Sequence, residues 1–381
     1  MGSAVVQTST LGVLALSAAL GCSLLAPSDD ELLGGPGGAA AAGGVSAGGS
    51  GGNGAAGGTG GATGGTGGAT GGTGGATGGM GGVDGGADAS AGAGGSGGAS
   101  CTPGATAAVK KPVGLYVILD RTSSMFQAGR YAFSSQGIAD FMQLPAAAGT
   151  QLATQTTPPL SGQQSCAGAG YSSPAVAMGA LPGHASAISA ALASAAQAIN
   201  AQMEGVLNGG TQYAKAHAAA SSEQASLVLI TDWNAQSTEP CDKTPQVLGG
   251  IAAAAMSTDP YVLTWVIAMD PNSRNALLSV GTSGQTGTPI IATGSAAVRD
   301  RLTLASARCR LERPADTTGG QYQLARTAPN GKAFTQLAGL SACTNNSEEH
   351  WYLAPDALVL CPAACVESGP TDAYQITTTC N

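Results

Sequence analysis

The stretch Leu115-Tyr116-Val117-Ile118-Leu119-Asp120-Arg121-Thr122-Ser123-Ser124-Met125 joins an unbroken apolar run to an acidic residue and two hydroxyls spaced two apart. Continuous β-branched and aliphatic residues are the mark of a parallel strand buried on both faces. In open α/β sheets, ligands gather at the carboxyl ends of such strands. A carboxylate and two hydroxyls at that position form an all-oxygen set, which suits a hard cation such as Mg²⁺.

Two further runs repeat the pattern. Leu227 to Ile230 leads through Thr231 to Asp232, and Tyr261 to Met269 leads to Asp270. Strand 1 is expected over Gly114 to Leu119, with a helix over Tyr131 to Met142. A Thr- and Gln-rich second strand follows over Gly149 to Pro158, and Val176 to Leu181 is a short edge strand. Ala-rich helical spacing predicts one long helix from His184 to Val206, because Ala has the highest helix propensity. Asn208-Gly209-Gly210 should stop it, and Thr211 should open the next helix, to about Ala220. Helices over Pro245 to Met256 and Ser295 to Ala307, with a strand over Pro289 to Ala292, complete the alternation. Alternating strands and helices predict a doubly wound, mostly parallel sheet. From Arg308 onward the cysteines cluster and short strands such as Ala357 to Leu360 and Tyr374 to Thr379 appear, so a small Cys-rich β appendix is expected.

The first quarter of the 381 residues cannot build a core, since residues 34–100 are almost entirely Gly, Ala, Ser and Thr. Three tandem copies of Gly-Gly-Thr-Gly-Gly-Ala-Thr run from Gly57 to Thr77, the composition of a flexible linker. Before it, Leu11 to Leu20 is too short to span a bilayer, for which about 20 residues are needed, and suits a signal-peptide core. Ala19-Leu20-Gly21-Cys22 resembles a bacterial lipoprotein cleavage box, which makes Cys22 the expected lipidation site. The expected organisation is therefore a signal/lipoprotein peptide over 1–22, a Gly-rich linker over 23–109, an α/β domain over 110–307 and a Cys-rich appendix over 308–381.

Net charge of −8, with no Lys or Arg before Lys110, argues against nucleic-acid binding and against an electrostatic grip on anionic lipid. With Cys22 lipidated, eight cysteines remain: Cys101, Cys166, Cys241, Cys309, Cys343, Cys361, Cys365 and Cys380. An even number suits disulfides in an oxidising compartment, although spacing does not give the connectivity. Cys166–Cys241 is the favoured pairing, and a four-thiolate zinc site at Cys343, Cys361, Cys365 and Cys380 is the alternative. Gly44-Val45-Ser46-Ala47-Gly48 matches a hydrolase nucleophile elbow but lies in the linker, without the strand and helix that motif needs. His184, His217 and His350 are far apart and form no metal pair, so no enzyme is expected.

The order and spacing of Asp120-x-Thr122-x-Ser124, then Gly209-Gly210-Thr211, then Ile230-Thr231-Asp232 resemble the three loops of the metal-ion-dependent adhesion site in von Willebrand factor type A domains. The resemblance covers about residues 112–307. It implies that Thr122, Ser124 and Thr211 bind Mg²⁺ directly (Mn²⁺ or Ca²⁺ being alternatives), with Asp120 and Asp232 acting mainly through water. Neutral ligands leave the cation electrophilic, and an acidic group of a partner takes the open position. Arg121 and Trp233 stand where many members carry Gly; the Arg121 cation either opposes the metal or helps recruit an acidic ligand. The lipoprotein start, Cys-rich tail and Asp-Arg-Thr-Ser-Ser-Met loop also resemble secreted lipoproteins of myxobacteria. The implied function is a lipid-anchored, monomeric cell-surface adhesion module that binds an acidic protein or surface ligand. The alternative is a structural envelope or matrix protein whose metal site does not function.

Overall fold

A computed structural model describes residues 101–160, 163–233, 239–315, 320–344 and 346–380. The chain forms β1 (Gly104–Ala107), β2 (Val113–Asp120), α1 (Ser123–Gln127), α2 (Arg130–Met142), β3 (Gln151–Thr157), β4 (Val176–Ala180), α3 (Ala185–Ala193) and α4 (Met203–Ser221). It continues through β5 (Gln224–Thr231), α5 (Pro245–Met256), β6 (Val262–Ala268), α6 (Pro271–Ala276), α7 (Leu278–Ser283), β7 (Ile290–Ile291), α8 (Ser295–Ala305) and β8 (Arg310–Glu312). It ends with β9 (Gly320–Ala328), β10 (Lys332–Leu337), β11 (His350–Leu353), β12 (Ala357–Leu360), α9 (Pro362–Val366) and β13 (Ala373–Cys380). Cys22, the predicted signal segment and most of the Gly-rich linker lie outside the described residues.

The first sheet has the order β4-β3-β2-β5-β6-β7. Every pair is parallel except the edge pair β3–β4. Numbered by their own succession, these strands run 3-2-1-4-5-6, the doubly wound order whose crevice opens at the carboxyl ends beside the first strand. β2 is buried along its whole length because it feeds both faces. Leu115, Val117 and Leu119 pack with Ile138 and Phe141 of α2 and Val298 and Leu302 of α8. Tyr116 and Ile118 face Val206 and Leu207 of α4 and Leu248 and Ala252 of α5. This is the period-two alternation of a pleated strand with helices on either side.

Two expectations fail on the helices. The stretch Ser194 to Gln202 is not helical: α3 stops at Ala193 and α4 begins at Met203. Tertiary bonds override its Ala-rich propensity, since Ala198 N–H donates to Arg121 O at 2.9 Å and the Arg121 guanidinium takes Ala196 O at 2.7 Å. Gly209 and Gly210 do not end a helix, and Thr211 does not start one; all three lie inside α4. Both glycines are there for close packing. A Cβ on Gly209 would fall 2.1 Å from Gly168 O, and one on Gly210 would fall 2.8 Å from Leu227 Cδ1.

The second sheet, β1-β13-β9-β10-β11-β12-β8, corrects the domain boundaries. β1 comes from the segment assigned to the linker, and Cys101 is bonded to Cys380. The sheet also closes on itself. After pairing with β13, the same chain bridges from Lys110 to Leu311, with Glu312 N–H donating to Val109 O at 2.8 Å. The bridge lies beyond β1, which pairs on one side only. Cross-strand partners Phe334 and Leu324, Leu324 and Ile376, Trp351 and Leu360, and Leu358 and Leu311 share one face, which fills the interior. From the opposite face, Arg310 reaches Asp259 (2.9 Å) and Asp356 (2.8 Å), while the Tyr352 hydroxyl donates to Asp259 at 2.7 Å. The Tyr261 hydroxyl donates to Leu360 O at 2.9 Å. These bonds join the two sheets, whose apolar residues form one continuous core.

Four disulfides pair the eight cysteines after Cys22: Cys101–Cys380, Cys166–Cys241, Cys309–Cys365 and Cys343–Cys361. The zinc alternative falls, because all four of its thiolates are spent on disulfides. Such bonds form and persist in oxidising compartments, which places this protein in an extracellular-type environment. No helix among the described residues is long and apolar enough to cross a membrane.

Candidate metal centre

β2 and β5 lie side by side in parallel, so Asp120 and Asp232 come together at the same end of the sheet. Asp120 is fully buried. Its Oδ1 accepts from Thr122 N–H at 2.8 Å, and its Oδ2 accepts from the Thr231 hydroxyl at 2.5 Å. Thr231 Oγ1 in turn accepts from Trp233 N–H at 2.8 Å, which directs the chain after β5. Burial pushes the Asp120 carboxyl up to about 6, against the opposing effect of the Thr231 and Thr122 hydrogen bonds. Desolvation disfavours the charged form, and the nearby Asp232 carboxylate adds to it.

In front of Asp120 stand three oxygens. Ser124 Oγ lies 3.2 Å from Thr122 Oγ1 and donates to Asp232 Oδ1 at 2.9 Å. Neighbouring ligands about 2.1 Å from an octahedral Mg²⁺ stand about 3.0 Å apart. Both spacings are close to that edge length and are also ordinary hydrogen-bond lengths; Thr122, Ser124 and Asp232 together offer two neutral oxygens and one carboxylate oxygen, the donor chemistry a small divalent cation takes. Asp120 holds the loop from behind.

Thr211 is not part of this cluster. It lies eight residues beyond Met203 in α4, about 12 Å along the helix axis. Its hydroxyl donates to Leu207 O at 2.7 Å, the back-bond of a mid-helix threonine. The chain beside Thr122 is instead Ala198, in the loop between α3 and α4, paired with it as an isolated parallel bridge.

The sequence reading missed Arg130 and Glu239, and gave Asp270 no part in the site. Arg130, the first residue of α2, places Nη1 at 2.7 Å from Asp232 Oδ2 and 3.2 Å from Asp270 Oδ2. Asp270 also caps α6, accepting from Asn272 and Ser273 N–H at 2.8 and 2.9 Å. Asp270 therefore belongs to the charged rim; its position at a strand end was the available signal. Glu239 accepts from Trp233 Nε1 at 2.8 Å and from Met203 N–H at 2.7 Å, tying the loop after β5 to the start of α4.

Arg121 directs its guanidinium at the main chain of neighbouring loops. Its guanidinium donates to Pro158 O (2.8 Å), Pro159 O (2.9 Å) and Ala196 O (2.7 Å). It is a staple that fixes the loops after β3 and α3 against the end of β2. Cys166–Cys241 braces the opposite side of the rim, where Asn208 Nδ2 donates to Cys166 O at 2.8 Å. Glu204 lies beside this pair, but sulfurs in a disulfide do not bind metal. Of the histidines, His184 Nε2 pairs with Ala177 O at 2.8 Å and His217 Nε2 with Glu223 at 3.0 Å.

No family model matches the chain, and no curated protein matches it. Among solved structures it is similar to proximal thread matrix protein 1 from the mussel byssus, at 11% identity and a TM-score of 0.34, covering 53% of this chain and 49% of that one. It is similar to the pilus adhesin SpaC of Lactobacillus rhamnosus GG, at 15% identity and a TM-score of 0.40, covering 70% of this chain and 38% of the adhesin. It is also similar to the VWA domain of SpRpn10, at 14% identity and a TM-score of 0.31, covering 51% of this chain and 95% of that domain. The chain thus spans about half or less of the length of the byssus protein and the adhesin. The fold class itself rests on the strand order and pairing described above.

Proposed function

We propose that this chain is an extracellular binding module of the von Willebrand type A kind, whose carboxyl-end rim holds a divalent cation and receives an acidic group of a partner protein. The observation that carries the reading is the convergence of Thr122 Oγ1, Ser124 Oγ and Asp232 Oδ1, 3.2 and 2.9 Å apart, close to an octahedral edge. Thr122 and Ser124 offer neutral oxygens, Asp232 offers one carboxylate oxygen, and Asp120 and Arg121 hold the loop in place. When bound, a cation with Mg²⁺ chemistry supplies an open coordination position for an anionic oxygen. The proposed role is binding, with the Ser124 hydroxyl donating to Asp232. Lipidation at Cys22, with the Gly-rich segment as a tether of roughly 50 Å root-mean-square reach, completes the proposal of a surface-anchored monomer.

The test is calorimetric titration of the full chain with Mg²⁺. Thr122→Ala and Ser124→Ala are expected to weaken binding tenfold or more, whereas Thr211→Ala leaves it unchanged. An equal loss with Thr211→Ala contradicts this ligand set.

One observation favours a second reading, a structural envelope or matrix protein with a non-functional site. Arg130 already offers positive charge to Asp232 and Asp270 from within the chain. A flat Mg²⁺ trace, unchanged by Asp120→Ala, supports that reading.

A further inference from the structure

The oxygen cluster does not account for one feature of the rim. Ile199 is 73% exposed, more than any other large apolar side chain among the described residues. Leaving an isoleucine in water forgoes about 1.5–3 kcal/mol that burial returns. The turn that carries it is not slack. Ala198 N–H is held by Arg121 O at 2.9 Å, and Ala196 O by the Arg121 guanidinium at 2.7 Å. On the far side Ala201 and Met203 are buried, and Asn200 reverses the chain at a φ of +57°. Left-handed backbone is uncommon outside glycine, and asparagine is among the residues that adopt it most readily.

This display is placed beside the cation ligands. Ala198 bridges Thr122, and bridged strands lie about 5 Å apart. One further residue adds at most about 3.8 Å, so the Ile199 Cα lies within about 9 Å of that of Thr122. A partly apolar cavity of about 330 Å³ lies between α2 and α3. Its lining includes Phe126, two residues after Ser124, Tyr131 stacked on Phe126 at 4.4 Å, and Leu192 and Ala195 of the segment leading to Ile199.

We propose that Ile199 is a specificity-determining residue, the apolar half of a two-part surface. The partner is a protein segment that presents a carboxylate to the Thr122–Ser124–Asp232 cluster and an aliphatic side chain next to that carboxylate against Ile199. The inference rests on the divalent-cation reading. Without the ion, the three carboxylates of Asp120, Asp232 and Asp270 outweigh the two guanidiniums of Arg121 and Arg130 and repel an acidic guest; a divalent cation reverses that sign. Charge therefore selects the acidic half of the partner, and Ile199 selects the aliphatic half.

The test uses the full chain with labelled isoleucine methyls, titrated with acetate, butyrate and hexanoate in Mg²⁺ and again in EDTA. In Mg²⁺ the Ile199 methyl signal should move with hexanoate, and affinity should rise about twofold or more with each added pair of carbons, part of the full methylene transfer value. Ile199→Ser should leave acetate binding unchanged and flatten the chain-length dependence, and EDTA should abolish binding of all three. Chain-length dependence that survives Ile199→Ser overturns the proposal and leaves the cation reading standing. So does its absence in the native chain while acetate binds in Mg²⁺. Acetate binding equally in EDTA, or no carboxylate binding at all, overturns the cation reading and the proposal together.

Discussion

In EDTA, Asp120→Asn is expected to remove a fall in stability that the native chain shows as pH rises from about 4 to 6. The native Asp120 carboxyl titrates at about 6, above its ordinary 3.8, because burial penalises its charge. In that window the folded state keeps a proton that the unfolded state has released. Its contribution is therefore full below about 4 and is lost as pH rises through 6. A difference of about two pKa units corresponds to roughly 3 kcal/mol. Denaturant unfolding of the native chain and the variant at pH 4.5 and pH 7 measures it. The variant's stability relative to native should rise by about 2 kcal/mol between the two pH values, since about a third of the full effect is already spent at pH 4.5. Parallel profiles would mean that the buried carboxylate costs nothing. Carboxylates held low by cations, such as Asp356 beside Lys111 and Arg310, slope the opposite way, which is why the difference is the informative quantity.

Loss of the Cys101–Cys380 bond is expected to have an effect of similar size or larger. The bond spans 279 residues and ties Cys101, just before β1, to the last residue of β13. Chain-entropy reasoning gives nearly 5 kcal/mol for a loop of about 100 residues and grows slowly with length, while measured losses fall between 2 and 5 kcal/mol. The Cys101→Ala/Cys380→Ala chain should therefore unfold at lower denaturant, with a stability loss of 2–5 kcal/mol. β1 should lose its hydrogen-exchange protection first, because all four of its residues are exposed and it pairs with β13 next to the bond. Unchanged stability would show that β-sheet closure through Lys110 and Leu311 holds this end without the disulfide.

What was legible in the sequence follows from physics that is local. β2, β5 and β6 read as apolar runs because parallel strands covered on both faces need no polar alternation. Pro245–Met256 was readable to the residue, since Thr244 caps it and Pro stands at its first position. The Ala-rich span from Ser194 to Gln202 misled because its competitor, Arg121, lies more than 70 residues away. Gly209-Gly210-Thr211 misled for a related reason: a helix stop and a close-packed helix interior look alike without the facing Gly168 and Leu227. β9 was hidden by its exposed Gln321 and Gln323, although Tyr322 and Leu324 keep the inward alternation. At the site, Asp120, Thr122, Ser124 and Asp232 were readable as strand-end chemistry. Arg130 was not, because its partners Asp232 and Asp270 lie 102 and 140 residues away.

The most direct measurement is Mn²⁺ anomalous diffraction from crystals of the full chain. The account predicts one rim peak within about 2.2 Å of Thr122 Oγ1 and Ser124 Oγ, on the Asp232 side, absent in Ser124→Ala. A rim without a peak, with Arg130 still on Asp232, or a peak coordinated by Thr211, would contradict it.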